Sequence, residues 1–573
     1  MESYRQLDAP RRTSIARALI LLAALVFSTS ALPQTSDDLL PRLKALQERQ
    51  QWQEIVDAAA TSSTRSAEVD YIHGIALAKL NRFDEARDAF LKGEKLAAHD
   101  SRFPVELAGI AFKQKDRPEA LHWLLRAHKL APNDTYINDF LGTVYFLEGN
   151  LEACLKYWNR AGKPLIENVR TDPALRLDPV ILDRALAFSP GSKLERSEWL
   201  TSETRLRGLG IFPRYGFRLD ARDDTKFDAV LQAKELNGFG TNKWTALLYT
   251  FRGVIFETIT PEYYNLHGSA TNITSLYRWD KNKRRIAGAV SGPLHRDPKW
   301  RYRMAFDARN ENWALRNFSA IPTTSLGALN FRRETGKVEI ASFRNGRWNW
   351  STGGEFSSRD FRSVTTHPGL PSELFLGGNQ LKHFARINFD LLRIPEHRFT
   401  VASALSSQEG RTWNAANPAF AKLQAGSRIH WFPQISGDDY EMTGQARYGR
   451  TYGDVPFDEL FMLGIERDND LMMRGHVGTD EGKKGFAPLG RNYFLSNWEI
   501  DKNVYGNGLF RLTPGPFVDT GKITDPNPAL GSRKWSVDAG AQLKVRALGV
   551  RFSLTYGKDL RTGRNAYYIY LTE

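Results

Sequence analysis

The chain has 573 residues, too many for one compact core, so two or more domains are expected. It is rich in aromatics (33 Phe, 20 Tyr, 14 Trp) and carries a formal net charge of +14. The basic residues are scattered through the second half, which argues against a nucleic-acid partner, and the single cysteine, Cys154, excludes a disulfide framework or a cysteine-based metal site.

In chain order, Arg11, Arg12 and Arg17 come first, then the apolar run Ala18 to Phe27, then the small residues Ser28-Thr29-Ser30-Ala31. That is the pattern of a secretory signal peptide over residues 1–31. No later stretch approaches the roughly eighteen apolar residues of a membrane helix. The expectation is an exported chain without a helical span, either a soluble periplasmic protein or a β-barrel.

Residues 37–164 show a period of 34. Gly74 aligns with Ala108 and Gly142, Ala86 with Ala120 and Cys154, and Phe90 with Leu124 and Trp158. Pro132 stands near the end of the second unit, where the first has Ala98. Small residues at these positions let paired helices approach, and large ones fill the groove between them. The pattern resembles tetratricopeptide repeats over 67–168, with a degenerate or capping unit before them. Gly74, Ala86, Ala120, Pro132, Gly142 and Trp158 carry the fold. The resemblance implies a concave face for a peptide or an accessory protein.

Residues 165–240 read β-α-α-β-β. Ile166 to Arg170 forms a strand, Asp178 to Phe188 a helix broken at Ser189-Pro190-Gly191, and Glu195 to Leu206 a second helix. Two strands follow, Arg214 to Ala221 and Lys226 to Leu236, with Phe227, Ala229, Leu231 and Ala233 on one face of the second. The order, with Leu209-Gly210-Ile211-Phe212 and Phe227-Asp228-Ala229-Val230, resembles a polypeptide-transport-associated (POTRA) domain. Such a domain offers a sheet edge to an extended client.

From Trp244 on the pattern alternates, with turn signals every ten to twenty residues or so. Trp300, Tyr302, Met304, Phe306 and Ala308 oppose Arg301, Arg303, Asp307 and Arg309. Val537, Ala539, Ala541, Leu543 and Val545 oppose Asp538, Gln542, Lys544 and Arg546. An apolar face backed by a charged one suits a transmembrane antiparallel β-barrel, although a soluble sandwich alternates in the same way. Residues 241–573 accommodate sixteen strands, with fourteen or eighteen also open. The first strand is expected near Trp244 to Thr258, closing against the last near Asn565 to Leu571.

Within that region a series of short motifs stands in order: Pro456 to Phe461, Leu463-Gly464, Leu471-Met472-Met473-Arg474-Gly475-His476, Gly490 to Glu499, and Phe517-Val518-Asp519-Thr520-Gly521. The series resembles the bacterial surface antigen superfamily, that of BamA, TamA and the two-partner secretion transporters. The resemblance implies that Arg474 and Gly475 form a loop tip inside the barrel, contacting a late strand through Phe517, Asp519 and Gly521. Parity alone puts Phe517, Asp519 and Gly521 on the lumen face. His476 departs from the family, which usually has an aromatic there, and the chain ends Leu571-Thr572-Glu573 without a terminal aromatic.

No nucleophile elbow, phosphate loop or zinc pattern is present, so no catalytic residue, metal ligand or cofactor is assigned. The resemblance implies an outer-membrane insertase or protein translocase, with its N-terminal domains in the periplasm. It would handle client outer-membrane or secreted proteins by β-augmentation. The alternative is a passive, porin-like or scaffolding outer-membrane barrel.

Overall fold

The computed structural model describes residues 39–572 apart from 62–65, 241–242, 319–323, 367–368, 435–438, 508–509, 533 and 548–549; the expected signal peptide lies outside the described residues. The chain divides into two compact units, 1–106 and 107–573.

The N-terminal helices pair antiparallel. They are α1 (Leu39–Glu48), α2 (Trp52–Thr61), α3 (Ala67–Lys79), α4 (Phe83–Leu96), α5 (Arg102–Lys113), α6 (Arg117–Leu130), α7 (Thr135–Leu147) and α8 (Leu151–Trp158). Side-chain oxygens of Asp116, Asp134 and Asn150 cap the starts of α6, α7 and α8. The 34-residue period has a steric cause. A Cβ on Gly74 would lie 2.5 Å from the Phe90 ring, and one on Gly142 would lie 2.0 Å from the Trp158 ring. Glycine on one helix therefore makes room for an aromatic on the next. Ala86, Ala120 and Cys154 are fully buried at the equivalent contact. Pro132 lies in the α6–α7 turn, where its carbonyl accepts from Asn138 Nδ2 at 3.0 Å.

A small α/β module follows: β1 (Leu165–Asp172), α9 (Pro179–Ala185), α10 (Arg196–Leu209), β2 (Arg214–Ala221) and β3 (Lys226–Lys234). The sheet order is β1-β3-β2, with β1 parallel and β2 antiparallel to the central strand. Phe227, Ala229, Leu231 and Ala233 are all buried beneath the helices. No further described strand pairs with β1 or β2; the start of the β1 edge is covered by residues 191–194, with Gly191 N–H donating to the Ile166 carbonyl at 2.8 Å and Ile166 N–H to that of Ser192 at 2.9 Å, and the β2 edge is open.

The remainder is a closed antiparallel barrel. Its wall contains β4 (Asn272–Arg278), β5 (Lys283–Leu294), β6 (Asp297–Asn317), β7 (Thr324–Ser342), β8 (Trp348–Thr366), β9 (Gly378–Ile394) and β10 (Phe399–Trp413). It continues with β11 (Ala419–Trp431), β12 (Tyr440–Gly453), β13 (Asn492–Lys502), β14 (Phe510–Thr524), β15 (Ser536–Ala547), β16 (Val550–Asp559) and β17 (Asn565–Thr572). Consecutive strands pair in register, and closure runs from β17 through two-residue strands at Thr258–Ile259 and Glu262–Tyr263 to β4. Met304 and Phe306 are 56% and 51% exposed, as are Leu405, Tyr448, Val518 and Ile569 to similar degrees. A soluble sandwich would bury this face, whereas a lipid-facing wall leaves it uncovered by protein. Among the described residues no helix is long and apolar enough to cross a membrane.

The first expected strand is corrected. Trp244 to Thr258 does not form one; Lys243–Phe251 is a helix, α11, and only Thr258–Ile259 is extended. Trp244, Leu247, Leu248 and Phe251 recur at i, i+3, i+4 and i+7, so helical periodicity persists further along the chain than the alternation suggested.

The α/β module and the last helical repeat both dock on one end of the barrel. Asn272 Nδ2 donates to the Leu209 carbonyl at 2.9 Å. Glu152 on α8 accepts from Arg196 at 2.8 Å and from Arg393 at 2.6 Å. Lys156 and Tyr157 both donate to Glu396 in the β9–β10 turn, the latter at 2.7 Å. Burial pushes the Glu396 carboxyl up, but these hydrogen bonds outweigh it and hold it below the ordinary glutamate value.

Candidate functional site: a loop held inside the barrel

The chain between β12 and β13, residues 454–491, enters the lumen from the end opposite the module. Its root is apolar. Phe461, Leu463, Leu471 and Met473 pack with Tyr493 and Leu495 of β13 and Ile523 of β14. This anchors a short stretch whose next residue is Arg474.

Arg474 is 6% exposed and Asp519 is fully buried. Arg474 Nε donates to Asp519 Oδ2 at 2.9 Å and Nη2 to Oδ1 at 2.7 Å, a fork-to-fork pair. The Arg474 backbone N–H donates to the same carboxylate at 2.9 Å. Its third guanidinium nitrogen, Nη1, reaches Glu499 at 2.7 Å and Gln542 at 3.3 Å. The guanidinium lies 3.9 Å above the Phe517 ring. Gly521 is required for closeness: a Cβ there would lie 2.6 Å from Met473 Sδ. Gly475 is pressed against the wall in the same way, since a Cβ would lie 2.7 Å from the Asp538 carboxyl carbon and 2.8 Å from the Asp559 nitrogen. The five residues singled out from the sequence thus meet at one contact.

Sequence reasoning missed the wall around this contact. Asp519, Asp538 and Asp559 sit directly opposite one another on β14, β15 and β16. Three buried carboxylates in cross-strand contact repel one another, and the loop tip supplies the compensation. The Gly475 N–H donates to Asp538 at 2.6 Å. His476 Nδ1 faces Asp538 at 3.0 Å while Nε2 faces Asp559 at 3.6 Å. The two ring nitrogens point to different carboxylates, so His476 bridges them. A histidine in place of an aromatic is explained by the acids it meets.

The other half of the loop has the opposite charge and meets the opposite wall. Asp458 lies 3.2 Å from Arg359 and 3.3 Å from Arg333. Glu459, 3% exposed, lies 3.1 Å from Arg359, 3.1 Å from Lys382 and 3.0 Å from Lys422. Glu466 pairs with Lys283 at 2.9 Å, Asp468 with Arg278 at 2.8 Å, and Asp470 with Arg447 at 3.3 Å. The lumen is therefore polarised. The loop's carboxylates before residue 471 meet cations on β4 to β12 and its tip meets carboxylates on β13 to β16, while Glu311 of β6 holds Lys484 of the loop at 2.7 Å and Lys544 of β15 holds Glu499 at 2.6 Å. The stretch Pro456-Phe457-Asp458-Glu459 belongs to the motif series, but nothing in its own sequence revealed that Glu459 would be wholly enclosed.

No protein-family model matches the chain, and no curated protein matches it. Among solved structures it is similar to BamA from Haemophilus ducreyi lacking POTRA domains 1–3, with 12% identity, 71% of this chain and 84% of that one covered, and a TM-score of 0.41. It is similar to CdiB from Escherichia coli, with 12% identity, coverage of 71% and 75%, and a TM-score of 0.46. MamA matches a smaller part, 22% of this chain and 77% of that one, at 19% identity and a TM-score of 0.22.

Proposed function

We propose that this protein is an outer-membrane insertase or protein translocase, with its helical repeats and α/β module, read as a POTRA-like domain, in the periplasm. The observation that carries the reading is the closure of the barrel. Neighbouring wall strands pair over long registers, for instance thirteen residue pairs between β10 and β11, whereas closure passes through strands of two residues. A seam with so few backbone pairs leaves N–H and C=O groups of β17 for another strand. An extended client segment arriving from an open edge of the module sheet would be received there by β-augmentation. The exchange consists of hydrogen bonds and needs no cofactor. The helical repeats are suited to recruiting a client or an accessory protein.

The test is reconstitution of the full chain in liposomes with an unfolded barrel client. Faster acquisition of protease resistance than in empty liposomes is expected. Replacing Cys154, then scanning cysteine pairs between 258–263 and 565–571 for one that cross-links the seam, should abolish the gain reversibly. Full activity of the cross-linked protein would leave passage through the lumen as the mode. Steady conductance without any client effect would favour the passive barrel.

A further inference from the structure

The acidic half of the loop neutralises only part of the basic wall. Closer to the module, Arg301 and Arg303 on β6, Arg386 on β9 and Arg428 on β11 lie on the inward face. They share parity with Arg309, Lys382 and Lys422 of the same strands. Arg301 Nη2 donates to Ser291 at 2.8 Å, Arg386 Nε to Asn388 at 3.0 Å and Arg428 Nη2 to Gln445 at 3.3 Å. Those partners are neutral, and among the described residues none of the four guanidinium groups makes an ion pair. Of the carboxylates nearby, Glu339, directly across from Arg303 on β7, pairs with Lys337 at 3.1 Å, and Asp390 pairs with Arg393 at 3.2 Å. Glu203 of α10 is buried between module and barrel, which pushes its carboxyl up and weakens it as a counter-charge.

These arginines border space. A cavity of about 510 Å³ between α10 and the barrel mouth is lined by Arg301, Arg303, Arg207 and Arg347 together with Leu200 and Phe343. A second, of about 760 Å³, lies deeper in the lumen against Arg386 and Arg428, with Arg447 and Arg474 beside them paired to Asp470 at 3.3 Å and Glu499 at 2.7 Å. The adjoining stretch of the same wall already shows what it accepts: its cations hold Asp458 and Glu459, from a 3-10 turn, and Asp470, all carboxylates of one loop of this chain.

We infer that the module-facing half of the lumen is a binding site for an extended acidic polypeptide segment, whose carboxylates pair with Arg301, Arg303, Arg386 and Arg428. Arginine suits this because its planar fork takes a carboxylate in two hydrogen bonds and keeps its charge when partly dried. Arg386 and Arg428 stand two strands and four residues of register apart, roughly 16 Å, a span that an extended peptide bridges in about five residues. The inference rests on the transport reading for what would deliver the segment, but not for the binding itself.

The test uses the full chain in detergent and a fluorescein-labelled polyglutamate peptide, with polyglutamine of equal length as control. Anisotropy is expected to show binding of polyglutamate only. The triple variant R303Q/R386Q/R428Q should weaken it by about tenfold or more. Removing the same charge from exposed helices with K92Q/K95Q/K129Q should change it by less than about twofold. A lysine version, R303K/R386K/R428K, should retain most of the affinity and guards against misfolding. Equal losses in the lumen and helix variants would mean that net charge alone is read, and absent polyglutamate binding would overturn the site. Intact binding with no client effect in liposomes would instead count against the transport reading.

Discussion

Removing either partner of the Arg474–Asp519 pair should unseat the loop, but by different amounts. In Asp519→Ala the guanidinium keeps Glu499 at 2.7 Å and Gln542 at 3.3 Å, so its charge remains partly compensated. In Arg474→Ala the Asp519 carboxylate keeps Asn497 Nδ2 at 2.8 Å, yet it faces Asp538 across the strand with no cation between them. Breaking a buried pair costs on the order of 3–5 kcal/mol. Asp519→Ala belongs at the lower end and Arg474→Ala at the upper. Even the smaller loss shifts the seated fraction by about a hundredfold. The double exchange Arg474→Asp with Asp519→Arg should recover only part, because the new aspartate would lie beside Glu499. Adding Glu499→Gln should recover more, since Lys544 still has Asp501 at 2.6 Å. Limited proteolysis of residues 454–491 in the folded barrel, read beside client insertion, measures both. The reasoning fails if each alanine variant shifts loop protection by less than about 1 kcal/mol, the range of an exposed pair, or if Glu499→Gln makes the double exchange worse.

Gly475→Ala should push the tip off the wall, at a cost of about 1–3 kcal/mol from overpacking, and raise loop cleavage without changing net charge; unchanged cleavage would show that the wall yields. Glu459→Gln leaves Lys422 without a carboxylate, while Arg359 keeps Asp458 at 3.2 Å and Lys382 keeps Glu355 at 3.0 Å, so the acidic half should be cut first, at a cost toward the lower end of the roughly 3–5 kcal/mol of a broken buried pair, while the tip stays protected. Docking of α8 on the β9–β10 turn should depend on the Glu396 carboxylate. Its value is lowered in the folded protein, so its contribution is present above the unfolded value near 4.3 and lost as pH falls through the folded one. Hydrogen exchange in α8 should therefore rise on acidification below about pH 4.3 in the parent and be flat over that window in Glu396→Gln; a matching rise in both would assign the effect elsewhere.

Local patterns were legible where the cause is local. Gly74 with Phe90 and Gly142 with Trp158 repeat because each aromatic needs a missing Cβ, a relation visible at fixed spacing. Parity placed Asp519 inward because side chains alternate from Pro514 to Thr524 of β14. The start of the barrel was misread for the converse reason. Trp244 to Phe251 is apolar enough for a wall strand, and only the i, i+3, i+4, i+7 spacing distinguishes a helix over so short a run. The partners of Glu459 and His476 were beyond reach. Arg359 lies 100 residues from Glu459, and Asp538 lies 62 residues from His476. Only strand register and the path of the loop bring them together.

The polarised lumen also accounts for part of the charge of the chain. Part of the excess of cations lies inside the barrel and not on its outer surface. It lines β4 to β12 on the inward face, where Glu459, Glu466 and Asp468 answer it from a loop of the same chain. A loop of one sign could lie against only one wall. A loop acidic along its first half and cationic at its tip has to span the lumen to satisfy both, which fixes its position without a covalent tie. Such pairs are enclosed, so salt screens them weakly, and the effective competitor for the basic wall is another chain of carboxylates. The four arginines left over beside the module are where such a chain would first be held.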